Sequence, residues 1–78
     1  MTRVKNFKQA LQLLCAGMQL YWIESPDTIW MVEMDSDIQF MYTRYGANTE
    51  NVYAEELDPL EGYSTTLTHF ADKELYIY

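Results

Sequence analysis

The stretch Asn6–Gly17, NFKQALQLLCAG, is the only part of the chain whose apolar spacing clearly predicts a helix. Its apolar residues recur at i, i+3, i+4, i+7 and i+11, which places them on one stripe of a helix. They are Phe7, Ala10, Leu11, Leu14 and Met18. Asn6 can cap the first turn through its side-chain oxygen, and Gly17 can adopt the left-handed conformation that ends a helix. One amphipathic helix cannot bury its stripe alone, so the rest of the chain must supply the surface on which it packs.

The next part of the chain predicts strands joined by short turns. Residues 18–24 alternate, with Leu20 and Trp22 on one side and Tyr21 and Ile23 on the other. Residues 29–34 are apolar on both faces except for Glu33, which is typical of a central strand or of one covered by a second subunit. Residues 38–43 alternate again, and the polar stretches 25–28 and 35–37 supply the turns. Three strands in succession with short turns predict an antiparallel meander.

The C-terminal part contains a second helix signal and two more strand signals. After a loop over 44–51, residues 52–57 are compatible with a strand or with a helical turn, and we favour a short strand followed by a turn. The sequence DPLEG at 58–62 predicts one helical turn, capped by Asp58 and ended by Gly62. Residues 63–70 and 75–78 predict strands. The whole chain, residues 1–78, therefore predicts one α+β domain: an N-terminal helix packed on an antiparallel sheet of about four to five strands.

The acidic residues are unevenly distributed. The chain has 78 residues, is 49% hydrophobic and 15% aromatic, and is too apolar for disorder despite a formal charge of −7. All twelve acids lie at or after Glu24, where only Arg44 and Lys73 are basic, so residues 24–78 sum to 2 − 12 = −10. Such a surface repels nucleic-acid phosphates and attracts basic proteins. The acidity therefore argues against direct binding of DNA or RNA. Two interpretations remain: a surface that keeps the protein in solution, and one that binds a basic partner.

Few side chains in the sequence are suited to catalysis or to holding a cofactor. His69 is the only histidine, and we expect it on a half-exposed strand, whereas Cys15, the only thiol, is expected to be a small buried apolar residue beside the helix stripe. A Cys–His pair would also need an orienting residue and an oxyanion hole. The carboxylates lack the ligand series of a calcium loop, and no phosphate-binding glycine motif is present. We predict no catalytic residue, no cofactor and no metal site.

Compartment signals are equally sparse. A single cysteine allows no intramolecular disulfide, which favours a reducing compartment. No apolar run of signal-peptide length follows the basic residues at the start, and no run approaches the roughly 20 apolar residues of a membrane span. The sequence predicts a cytosolic protein with no membrane contact.

The order Phe-x-x-Ala-Leu-x-Leu-Leu-x-x-Gly followed by a strand, from Phe7 to Trp22, resembles the opening of small phage and prophage domains. The phage Thoeris anti-defence sponge family is one example, and its members sequester cyclic nucleotide signals as homo-oligomers. The basic residues that this family carries after the glycine are Gln19, Tyr21 and Glu24 here. The resemblance therefore implies a context, phage counter-defence in the host cytosol, and no ligand residues.

These observations favour a non-enzymatic acidic interaction protein. The expected partner is a basic nucleic-acid-binding host or defence protein, such as a CRISPR effector, which the protein would inhibit by imitating nucleic-acid charge. Aromatic anchors would supply affinity and carboxylates would steer the encounter. The candidate partner-binding residues are Trp30, Asp35, Asp37, Tyr42, Tyr45, Glu55, Glu56 and Asp58.

Other functions remain open at this point. The main alternative is a sponge that binds a nucleotide signal between aromatic side chains as a homo-oligomer, and a homodimer is compatible with either hypothesis. A structural subunit of a phage particle or of a toxin–antitoxin pair comes third, and an enzyme comes last.

Overall fold

The structure, a computed structural model, describes residues 1–36, 38–54 and 56–78. Its elements are β1 (Thr2–Arg3), α1 (Phe7–Cys15), β2 (Leu20–Ser25), β3 (Thr28–Ser36), β4 (Gln39–Gly46), β5 (Asp58–Thr65) and β6 (Tyr76–Ile77). The strands form one antiparallel sheet in the order β1-β6-β2-β3-β4-β5. The predicted α+β fold with its single N-terminal helix is confirmed, and the described residues form six strands rather than four to five. β1 is the strand that the sequence did not reveal.

The ends of α1 lie where the sequence predicts them. Asn6 Oδ1 accepts a hydrogen bond from the Gln9 N–H at 2.8 Å, which caps the first turn. Gly17 has φ 87°, and the Met18 N–H donates to the Leu13 carbonyl at 3.0 Å, which closes the last turn. The expectation that Cys15 is buried is wrong. Cys15 is exposed because it lies about 100° around the helix from Leu14, outside the buried stripe.

One face of the sheet, which we call the helix face, packs against α1. The register pairs Leu20 with Val32 and Val32 with Tyr42, so alternate residues of β2, β3 and β4 share this face. These three side chains are fully buried together with Leu14 of the helix. β3 lies between β2 and β4, which confirms the central strand that its two-sided apolar pattern predicts.

The opposite face, which we call the loop face, is covered by residues that follow β4, among them Ala47, Val52 and Leu57. Val52 is 3% exposed and packs on Tyr21, Ile29 and Met31 of the sheet. The short strand predicted at the start of 52–57 is therefore wrong. Asn51 starts a turn instead, because its carbonyl accepts from the Ala54 N–H at 3.2 Å, and this turn directs Val52 into the apolar surface of the sheet.

The DPLEG stretch belongs to strand β5, and the predicted helical turn at 58–62 is wrong. Pairing with β4 matches Gly46 with Asp58 and Arg44 with Glu61, with a bulge between them. Pro59 is tolerated because β5 is an edge strand. Gly62 lies so close to β4 that a Cβ there would sit 3.2 Å from the Tyr42 carbonyl oxygen. Strand pairing has overridden a local capping signal.

The segment 66–75 leaves the sheet and crosses the helix face. Thr65 pairs with Phe40, next to the first residue of β4, so β4 offers almost no further partner and the predicted strand at 63–70 ends early. His69 is consequently exposed outside any strand, which corrects its predicted position. Phe70, 1% exposed, holds the segment down and packs between Phe7 and Phe40, at ring-centroid distances of 5.6 and 5.1 Å.

Across residues 1–36, 38–54 and 56–78, no helix has the length and apolarity that crossing a membrane requires.

Candidate functional site

The predicted aromatic anchors do not form one surface. Trp30 pairs with Arg44 on the helix face, whereas Tyr45, the next residue along β4, pairs with Ile29 and packs on the loop face. Tyr42 is fully buried, and its use as an exposed anchor is corrected: it lies beneath the surface and supports it. Of the three, Trp30 and Tyr45 are partly exposed, on opposite faces.

The predicted carboxylates are also separated. Asp35 lies near the end of β3, where its carboxylate accepts a hydrogen bond from the Ser64 hydroxyl at 3.0 Å. Asp58 begins β5 beside Gly46 and Thr28, at the opposite end of the strands, and Glu56 precedes it. Along β3, Asp35 lies seven residues from Thr28, which is level with Asp58, and this corresponds to roughly 20 Å of strand. Asp37 and Glu55 lie outside the described residues.

One end of the sheet gathers carboxylates from two separate parts of the chain. This acidic end consists of Glu24, Asp27, Glu56, Asp58 and Glu61, around the β2–β3 turn and the start of β5. A cavity of ≈ 510 Å³ opens there, with Asp27, Glu56 and Asp58 in its lining. Its other walls are apolar or amide side chains: Pro26, Ala47, Val52, Leu57, Asn48 and Asn51. Carboxylates beside apolar walls can hold the head and the aliphatic stem of a basic side chain.

Arg44 lies among these acids and is already paired. Its Nη2 and Nε donate to Glu24 Oε2 at 2.7 and 3.1 Å, while Glu24 Oε1 accepts from Trp30 Nε1 at 3.1 Å. Hydrogen bonds from Arg44 and then Trp30 lower the pKa of Glu24, and the same contact raises the pKa of Arg44. Hydrogen bonds from Ser25 and Thr28 lower the pKa of Asp27. Glu24 and Asp27 are therefore favoured in their ionised forms, and Arg44 is committed to Glu24.

A second concave surface lies on the helix face, beside the segment 66–75. This aromatic trough has a volume of ≈ 670 Å³, and the lining residues that matter here are Trp22, Glu24, Tyr63, His69, Asp72 and Lys73. Trp22 stacks on Trp30 at 5.9 Å with 15° between the ring planes, and Lys73 Nζ lies 5.9 Å from the centroid of the Trp22 ring. Tyr63, 46% exposed, stacks on the buried Tyr42 at 5.3 Å.

Sequence reasoning missed most of the trough. The Trp22–Trp30 pair had only a partial signal. A two-residue turn at 26–27 would place Trp22 opposite residue 31, and a bulge between Ile23 and Ser25 shifts the register by one so that Trp22 faces Trp30. Tyr63 and Lys73 had no such sequence signal. Their positions depend on strand β5 and on the path of the segment 66–75, and the local pattern misassigned both.

The hydroxyl of Tyr42 connects the sheet to the trough wall and titrates abnormally. It donates to the Leu67 carbonyl at 2.7 Å and accepts from the His69 N–H at 3.1 Å. Burial raises the pKa of Tyr42 to about 12. An unfolded tyrosine ionises near 10. Between these pH values the unfolded state binds fewer protons than the folded state. The contribution of the protonated Tyr42 to the free energy of unfolding is therefore complete below pH ~10 and is lost as the pH rises toward ~12.

We therefore expect the free energy of unfolding to fall between pH ~10 and ~12, and to fall less steeply in Tyr42→Phe. Urea denaturation followed by circular dichroism at several pH values measures the slope. Burial, followed by the proximity of Tyr53 and Tyr76, also raises the pKa of Tyr21, so Tyr21→Phe is the matched comparison and should flatten the slope in part. Equal slopes in the wild type and Tyr42→Phe would show that Tyr42 is not the group responsible.

Within the part of the chain that the structure describes, no three His, Cys, Asp or Glu side chains gather closely enough to hold a metal ion. Comparison with protein families, with curated proteins and with solved structures finds no match to this chain. Functional inference therefore rests on the acidic end and the aromatic trough themselves.

Proposed function

We propose that this is a non-enzymatic interaction protein that inhibits a nucleic-acid-handling protein complex by placing its acidic end in a basic nucleic-acid site. The observation that carries the proposal is the gathering of Asp27, Glu56 and Asp58 around one cavity, beside an arginine that Glu24 already neutralises. A nucleic-acid site presents lysines and arginines to phosphates, and a fixed group of carboxylates offers them the same charge.

Charge kept only for solubility needs no such organisation. The three bases near the start of the chain lie on or near β1 and α1, away from the acidic end, so the charge of the molecule is polarised. A polarised molecule is oriented in the field of a basic partner before contact, which raises the association rate at low salt. The cavity adds apolar contact to the charge attraction, because its walls can pack against the aliphatic stem of an inserted side chain.

The biological context that we propose is phage counter-defence in the host cytosol, which rests on the resemblance of residues 7–22 to small phage domains. The sponge alternative is favoured by one observation, the aromatic trough, whose ≈ 670 Å³ falls in the range of small-molecule sites. A nucleotide panel in a thermal-shift assay distinguishes the two functions: a sponge gains melting temperature with its ligand, and an acidic mimic does not.

Charge reversal at the acidic end tests the proposed function. We compare Glu56→Lys/Asp58→Lys with Glu33→Lys/Asp35→Lys, a pair nearer the opposite end of the strands. Each pair changes the formal charge from −7 to −7 + 4 = −3, so net charge is matched. The tagged variants are used for affinity capture from a bacterial lysate, with elution by salt and by competing duplex DNA or RNA.

We expect wild type to retain a nucleic-acid-binding protein that competing nucleic acid releases, and the acidic-end variant to retain it at least about tenfold less well. The matched variant should lose no more than about twofold, reflecting net charge alone. Circular dichroism confirms that both variants fold. Equal losses in the two variants, or a partner that nucleic acid does not displace, would overturn the proposal.

A further inference from the structure

The aromatic trough already holds one of the chain's own cations. The ammonium of Lys73 lies 5.9 Å from the centroid of the Trp22 ring. Trp22 in turn stacks on Trp30, so a pair of indole rings lies behind this contact. Aromatic faces attract cations through their negative quadrupole, and the Lys73 contact shows that the trough can accommodate one.

We propose that the aromatic trough binds an arginine side chain presented by the basic partner. The origin of that arginine rests on the proposed function, whereas the chemistry of the trough does not. The incoming guanidinium takes the place of the Lys73 ammonium over Trp22. Its charge is met by Asp72, which lines the trough and makes no ion pair among the described residues.

Arginine is favoured over lysine for this exchange. An ammonium is compact and strongly hydrated, and Lys73 is exposed, so its contact with Trp22 is weakly held. A guanidinium is flat, is less strongly hydrated and stacks on aromatic faces. It can also donate two hydrogen bonds to one carboxylate, a geometry that Asp72 can accept.

Electrostatics of the surroundings disfavour an anion in the trough. Glu24 and Asp72 line it, Glu61 lies opposite Arg44 on the neighbouring strand, and the protein as a whole carries −7. The basic groups nearby are Lys73 and Arg44, and the second of these is held by Glu24. The negative field of the protein would therefore repel a phosphate and attract a guanidinium.

The trough also has room for the backbone that carries the arginine. It extends across the sheet from β2 toward β5, three interstrand spacings or about 14 Å. Tyr63 on β5, at the edge of the sheet, is 46% exposed and leaves an aromatic surface for the residues that flank the arginine.

Capped tripeptides provide the test. We titrate the folded protein with acetyl-Gly-Arg-Gly-amide and with the same peptide carrying citrulline, which has the shape of arginine without its charge. The indole N–H signals of Trp22 and Trp30 in proton–nitrogen NMR spectra report on this pair of indole rings. We expect the arginine peptide to shift both signals in a saturable manner, and the citrulline peptide to bind at least about tenfold more weakly.

Matched lysine variants test the exchange. Lys73→Gln removes the internal competitor, and Lys8→Gln makes the same change of net charge on the exposed surface of α1. We expect Lys73→Gln to strengthen binding of the arginine peptide about two- to fivefold, and Lys8→Gln to leave it within about 1.5-fold. Asp72→Asn should weaken it severalfold, because the carboxylate partner is lost.

Three results would overturn the inference: equal binding of the two peptides, shifts confined to the acidic end, or equal effects of the two lysine variants. Each is distinguishable from failure of the proposed function. If charge reversal at the acidic end abolishes partner capture but the arginine peptide does not bind, the proposed function stands and only the arginine site is removed. If the peptide binds but charge reversal does not change partner capture, the arginine site stands and the proposed function is removed.

Discussion

Replacement of Tyr42 by alanine should unfold a large part of the protein at room temperature. Tyr42 is fully buried at the centre of the helix face, and its ring contacts Trp22, Tyr63 and Phe70 at centroid distances of 6.0, 5.3 and 6.4 Å. Truncating a buried aromatic ring costs about 3–5 kcal/mol. A domain of this size rarely has more than about 3–5 kcal/mol of stability from its core. Urea denaturation followed by far-UV circular dichroism measures the loss.

Tyr42→Phe is the control, because it keeps the ring and removes only the hydroxyl. It leaves the Leu67 carbonyl and the His69 N–H without their partner, which should cost about 1–3 kcal/mol. The two variants together separate the contribution of ring packing to the free energy of unfolding from that of the hydroxyl's hydrogen bonds. A Tyr42→Ala protein with a denaturation midpoint near that of wild type would mean that Tyr42 is not at the centre of the core.

Phe70→Ala is expected to have an effect of similar size, about 3–5 kcal/mol, for a related reason. Phe70 is the buried anchor of the segment 66–75, which forms the wall of the aromatic trough. Its loss should destabilise the domain and also release Lys73 from Trp22, since Lys73 follows Phe70 by one turn and its N–H donates to the Phe70 carbonyl at 3.0 Å. Denaturation measures the first effect, and the tryptophan emission of the folded protein reports the second.

Phe7→Ala is the matched control on the other side of the same ring. Phe7 stacks on Phe70 at 5.6 Å but is 41% exposed, so its truncation removes less buried surface. We expect a loss of about 1 kcal/mol and unchanged tryptophan emission. If the two variants lost equal stability, Phe70 would not be the residue that holds the segment against the sheet.

The parts of the fold that the sequence predicted are those in which local pattern and tertiary structure agree. The helix stripe ending at Gly17, the alternation over β2 and the two-sided apolarity of β3 each specify their own structure. The stretch at 58–62 fails because two principles compete there: Asp58, Pro59 and Gly62 form a local helix signal, while β4 offers a strand partner. Nothing in a short window indicates that the partner wins.

The candidate site was less predictable than the fold. Alternation assigned Tyr42 to a face but could not tell how deeply that face is covered, because the cover comes from residues 66–75. The opposite faces of Trp30 and Tyr45 depend on the register of the β3–β4 hairpin. The separation of Asp35 from Asp58 depends on β5 being a strand, because its pairing with β4 places Asp58 beside Gly46, at the opposite end of the strands from Asp35.

The position of β6 between β1 and β2 has a consequence for how the chain reaches this structure. The meander of β2, β3 and β4 is local, whereas Thr2–Arg3 join the sheet through Tyr76–Ile77. The helix can form early, yet the strand before it waits for a partner more than 70 residues further along the chain. Such non-local pairing slows folding relative to a local bundle. A nascent chain emerging from the ribosome would hold Thr2–Arg3 unpaired until Tyr76–Ile77 have been synthesised.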